Sequence, residues 1–83
     1  MQFKVSAKSD PRKVATAIIS TLAETPSVTL NAIGAAAVNQ AVKSAAIAGK
    51  HAKHKITCLP KFVDSEINGR ICTILQIEIK RAA

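Results

Sequence analysis

Tryptophan and tyrosine are absent from the sequence, and phenylalanine occurs only as Phe3 and Phe62. Proteins that hold single strands by stacking bases need several aromatic platforms, so duplex or backbone contact suits this composition better. Acids are also scarce: Asp10, Glu24, Asp64, Glu66 and Glu78 stand against 12 Lys and Arg, leaving a net charge of +7. None of these acids has a motif spacing to a histidine or a nucleophile, which argues against an enzyme and against a small-molecule substrate. Glycine-rich phosphate loops of the Rossmann and P-loop kinds are missing, and no cofactor is implied. The two cysteines, Cys58 and Cys72, lack a CxxC spacing and read as buried apolar filler in a reducing compartment.

Long hydrophobic runs are missing too. The uncharged stretch from Thr25 to Val42 is interrupted by Pro26, Asn31, Gly34, Asn39 and Gln40, so it does not read as a membrane span. Residues 1 to 10 carry Lys4 and Lys8 and no apolar run, which predicts a cytoplasmic chain without a secretory signal or lipid anchor. His51, His54 and Cys58 have spacings a metal site could use, but the lysines around them repel a cation, and no metal is expected.

What is present is enough apolar material, 48% of 83 residues, for one small folded domain spanning residues 1–83. A chain this short buries only about 60% of its unfolded surface, so shared hydrophobic surface in a homodimer or higher homo-oligomer is expected. Residues 2 to 7 alternate polar with apolar as a half-buried strand does. Ser9-Asp10-Pro11 supplies a helix start, and Val14, Ile18 and Leu22, with Ala15 and Ile19 beside them, make an apolar stripe that ends near Glu24.

Val28, Leu30 and Ala32 mark a second strand, parallel to the first across that helix. Gly34 and its alanines open a second helix, where small side chains suggest close packing. That helix has an inner face of Val38, Ala41, Val42, Ala45 and Ala48, and Gly49 is its expected end. Residues 55 to 63 and 70 to 80 predict a hairpin around Asn68-Gly69, with Ile71, Thr73, Leu75, Ile77 and Ile79 on a face the helices cover. The sum is a two-layer α/β sandwich, β-α-β-α-β-β, with two helices on one face of a four-stranded mixed sheet.

Between Glu24 and Asp64 there is no acid, while Lys43, Lys50, Lys53, Lys55 and Lys61 all fall there. Such a segment attracts phosphate backbones, although charge of this kind also serves plain solubility. Lys8, Arg12 and Lys13 surround the start of the first helix, whose unpaired N–H groups favour an anion. Asn31 and Gly34 precede the second helix, where backbone N–H groups could also meet an anion, with the Asn31 amide positioning the turn. Lys43 and Lys50 are seven apart, hence on one helix face, with Ile47 between them as an exposed apolar contact point. Two functional classes follow: a module binding DNA or RNA mainly through phosphates, or an oligomeric adaptor for other proteins with no nucleic-acid binding.

Three strings go further: Lys-Val-Ser-Ala-Lys-Ser near the start, Asn-Ala-Ile-Gly-Ala-Ala-Ala-Val-Asn-Gln-Ala-Val-Lys-Ser-Ala-Ala-Ile-Ala over residues 31 to 48, and Ile-Thr-Cys-Leu-Pro-Lys-Phe before the hairpin. On these the chain resembles the bacterial stage V sporulation protein S family over nearly its whole length. That family looks like a relative of the Alba chromatin proteins, whose β-α-β-α-β-β domains dimerise and bind nucleic acid. The resemblance implies an Alba-like domain and a small regulator of spore development and of septation or cell division. Alba proteins meet the duplex with a basic loop after the second strand and a basic hairpin arm. The corresponding places here carry Asn31, Ile33 and Ala35, and Asp64, Glu66 and Arg70. Acids on the hairpin repel phosphates, which leaves any binding surface to Lys8, Arg12, Lys13, Lys43 and the segment from Lys50 to Lys61.

Overall fold

Alternation and helical periodicity become six elements in a computed structural model that describes residues 1–82. They are β1 (Gln2–Val5), α1 (Pro11–Glu24), β2 (Ser27–Ala32), α2 (Ala35–His51), β3 (Ile56–Ile67) and β4 (Arg70–Arg81). At the start of α1, Asp10 is extended and its carboxylate accepts the Arg12 N–H at 3.0 Å, while Pro11 brings a φ already set for the helix. At its end Thr25 turns extended, and its N–H and hydroxyl donate to the Thr21 carbonyl at 2.8 and 3.0 Å.

The strand order is β1-β2-β4-β3. β1 and β2 are parallel, as a crossover helix between them requires, and the hairpin places β4 antiparallel to β2. Val28 lies opposite Ile79 and Leu30 opposite Ile77, and these four with Val5, Ile18 and Leu22 form the buried centre beneath the helices. Each such side chain stabilises the fold by roughly 1.5–3 kcal/mol relative to exposure. α2 presents Ala37, Ala41, Ser44, Ala45 and Ala48 inward, so its backbone can lie close to its neighbours. Ser44 is tolerated there because its hydroxyl donates to the Gln40 carbonyl at 2.7 Å.

Several local expectations change. Val42, expected inside, is 53% exposed, because the inner face of α2 runs through Ala41, Ser44, Ala45 and Ala48 and leaves Val42 at its side. α2 passes through Gly49 and ends at His51. Gly34 is not a close-packing site: a Cβ there would meet nothing within 4 Å, and glycine suits the position through its φ of 87°.

The hairpin strands are 12 residues each and meet in a two-residue turn, Asn68-Gly69, with φ of 52° and 77°. Two positive φ values match the strand twist, which the Asn-Gly pair supplies cheaply. Ala32 of β2 reaches only Leu75, so the distal strands pair with each other alone and form an arm. That arm helps to give the molecule its 41 × 24 × 16 Å shape. The helices cover Ile77 and Ile79 but not Ile71, which is 77% exposed. Cys58 is exposed and Cys72 half-buried, so neither is core filler; both fall on the hairpin, on opposite faces of the sheet.

Candidate nucleic-acid interface

The outer surface of the helical layer is where cations gather without acids. α2 contains no acid, and α1 has only Glu24 at its last position. Between the helices runs a groove lined by Arg12, Ala15, Thr16 and Ile19 from α1 and by Ile47, Lys50 and His51 from α2. Thr16 keeps its hydroxyl on the Arg12 carbonyl at 3.0 Å, which leaves the Arg12 guanidinium as the charged group on that side. Lys43, Ile47 and Lys50 share one face of α2 through their spacings of four and three, so Lys43 extends the basic edge. Ile47 is half-buried against the core rather than free on the surface, and it forms part of the groove floor.

Around the start of α1 a tight turn presents Lys8. The Ser9 N–H donates to the Ser6 carbonyl at 3.1 Å, the Lys8 N–H to Ser6 Oγ at 3.2 Å, and Gln40 Nε2 to the Ser9 carbonyl at 3.0 Å, tying the turn to α2. Lys8, Arg12 and Lys13 are all exposed there. The position an anion would take against the first helical N–H groups, however, is held by the Asp10 carboxylate. An anion at this end would therefore meet the three side chains and not the backbone N–H groups.

Lys53 and Lys55 follow α2 and are exposed. Lys53, with His51, His54 and Arg81, rims a concavity of about 320 Å³ over Ile19, Leu22, Ala23 and Ile56. It shares Ile19 and His51 with the interhelical groove, so the basic surface continues around the end of the helices.

Two sequence candidates lie elsewhere. Lys61 pairs with Gln76 in register, which places it on the sheet face away from the helices, together with Lys4, Arg70 and Lys80. That face carries Glu78, whose carboxylate meets Lys80 Nζ at 3.4 Å. Asn31 is on the same face. Its Nδ2 donates to Gln2 Oε1 at 2.9 Å and its Oδ1 is buried without a partner, so it does not brace the turn at Gly34. Gly34 is exposed at the start of α2, which has no side-chain cap.

The structure thus brings Arg12, Lys43 and Lys50 onto one surface, with Lys8, Lys13, Lys53 and Lys55 at its ends, and separates Asn31 and Lys61 from it. Sequence reasoning missed Thr16, Arg81 and the part His51 takes in the groove. Only the β3–β4 register, which puts Arg81 opposite Ile56, reveals the second of these. Burial beside Pro60 and Val42 raises the Cys58 thiol above its usual pKa although the residue as a whole is exposed. Among the described residues no group of three or more His, Cys, Asp or Glu could hold a metal ion, and no helix is long and apolar enough to cross a membrane.

Residues 1–82 match the family described as Stage V sporulation protein S (SpoVS). Among solved structures the chain is similar to Alba from Thermoplasma volcanium, with a TM-score of 0.58 and 16% sequence identity over 95% of this chain and 100% of that one. At that identity the likeness shows the fold, and the Alba-like arrangement implied by the family resemblance is the one observed.

Proposed function

The chain belongs to the stage V sporulation protein S family, and on that premise we propose that it binds polynucleotides through their phosphate backbone as a regulator of sporulation. Its place of action is the cytoplasm, its processes include septation or cell division, and its role is not enzymatic. The observation that carries this reading is the acid-free groove edged by Arg12 and Lys50, with Lys43 on the same face of α2 as Lys50. Cations that are spread along two packed helices and, among the described residues, unpaired by carboxylates release counterions when a duplex docks, and this supplies affinity without reading bases.

The working unit is a homodimer. Val42, Pro60, Phe62 and Ile71 leave an apolar band on the helix side of the hairpin, with Phe62 and Ile71 each 77% exposed. A domain of this size gains most by covering such a band with a second copy of itself. That same band favours the second reading, an adaptor whose apolar face takes a different protein and whose charge serves solubility.

Fluorescence anisotropy with labelled duplex DNA and RNA separates the two. The triple variant Arg12→Ala, Lys43→Ala, Lys50→Ala should lose about 10-fold or more in affinity at low salt, whereas Lys4→Ala, Lys61→Ala, Lys80→Ala should lose much less. Absence of binding by the unaltered protein at low salt would leave the adaptor.

A further inference from the structure

We infer that the concavity at the C-terminal ends of the two helices is a binding site for a small organic anion with an apolar or aromatic body, of which a nucleoside monophosphate is the class that fits. The inference goes beyond the backbone-binding reading and does not depend on it. The site has two chemically distinct parts. Its floor is aliphatic, made by Ile19, Leu22 and Ala23 of α1 and Ile56 at the start of β3. Its rim carries His51 from the end of α2, Lys53 and His54 from the following turn and Arg81 from the last position of β4. No acid lines it. Glu24 follows Ala23 but is exposed and is not among the lining residues. Among the described residues neither Lys53 nor Arg81 has a carboxylate within ion-pair distance.

A volume of about 320 Å³ lies at the lower end of the range for small-ligand pockets, and an apolar lining with a few convergent polar groups is their usual composition. A bare phosphate would use only the rim and leave the floor wet. A fatty tail would use only the floor. A ligand with a flat body and a single phosphate uses both, the body on Ile19, Leu22 and Ile56 and the phosphate against the Arg81 fork, which can hold two oxygens at once. The backbone beneath the rim is tied down: the Arg81 N–H donates to the Pro26 carbonyl at 3.2 Å and the Ala82 N–H to the Lys55 carbonyl at 2.8 Å, so the end of β4 is joined to both connecting turns. The ligand could arrive free or as the terminal nucleotide of a strand, the phosphate and base being common to both.

The test is titration by isothermal calorimetry with AMP, UMP and inorganic phosphate, alongside an oligonucleotide bearing a 5′ phosphate and the same oligonucleotide without one. A mononucleotide should bind at least about 10-fold tighter than inorganic phosphate. The exposed-site variants Arg81→Ala and Ala23→Phe should each weaken it by about that factor, the first by removing the fork and the second by filling the floor while leaving all charge in place. Circular dichroism establishes that both variants are folded. Duplex affinity should fall far less in Ala23→Phe than in the Arg12→Ala, Lys43→Ala, Lys50→Ala variant, which separates this site from the interhelical groove. Tighter binding of the phosphorylated oligonucleotide alone would assign the strand terminus as the source, and binding of free mononucleotide would assign the soluble one. Equal binding of phosphate and mononucleotide, or no binding of free mononucleotide at millimolar concentration together with no preference for the 5′-phosphorylated oligonucleotide over the unphosphorylated one, would overturn the inference whatever the duplex result.

Discussion

Ile79 and Ile71 lie on the same face of the same strand, yet Ile79 is fully buried and Ile71 is 77% exposed. The difference is not in the residues but in what stands above them. Near Ile79 the strand has β2 beside it and both helices above, whereas beyond Leu75 it has only β3. One half of the molecule is thus a finished core, and the other is a sheet whose apolar side waits for a cover. A chain with so little mass can complete one core alone, and the unfinished half is the surface on which the proposed homodimer would form.

The sharpest way to break this comparison is to truncate one residue from each half. Ile18→Ala, at a fully buried position on the inner face of α1, should cost about 3 kcal/mol in urea unfolding monitored by circular dichroism, through lost transfer energy and the cavity left behind. Phe62→Ala should cost less than about 0.5 kcal/mol in a dilute monomer, because the ring is already in water. Equal losses would mean that the hairpin face is covered within one chain. A charge on the open half sharpens the contrast: Phe62→Asp should weaken self-association about 10-fold or more in sedimentation equilibrium, about 1.4 kcal/mol, with secondary structure unchanged.

At the tip of the arm, Gly69→Ala should lose about 1 kcal/mol, since its φ of 77° is costly for a side chain although nothing lies within 4 Å to clash. The smallest effect is chemical. Because burial raises the Cys58 pKa, its thiolate is scarcer near neutral pH than that of an unperturbed thiol. Alkylation should therefore be slower than in an unstructured peptide and should accelerate as pH rises toward the raised value.

Much of the fold was legible because the dominant signals were local. Asp10-Pro11, the Val14–Ile18–Leu22 stripe, the alternation in β2 and the Asn68-Gly69 pair each announce a structure from neighbouring residues. What was not legible depended on lateral placement. The sequence cannot say which strand a helix leaves bare, so Val42, Cys58 and Cys72 read as interior and proved to be on or beside the open hairpin. The candidate surface divided in the same way. Arg12, Lys43 and Lys50 lie on helix faces whose period can be counted, whereas the side of the sheet taken by Lys61 depends on its pairing with Gln76. Asp10 could be recognised as a cap from its place before Pro11, but its consequence, that the cap fills the anion position at the helix start, emerges from the 3.0 Å contact with the Arg12 N–H.

The central claim is that the helical layer, and not the far face of the sheet, carries the polyanion-binding charge. Its most direct measurement is the salt dependence of duplex affinity. The slope of log affinity against log salt should fall by about 0.9 for each phosphate that the Arg12→Ala, Lys43→Ala, Lys50→Ala variant no longer neutralises, and should stay near its original value in the Lys4→Ala, Lys61→Ala, Lys80→Ala variant. The same slope in the helical variant as in the unaltered protein, or a larger fall in the sheet variant, would contradict it.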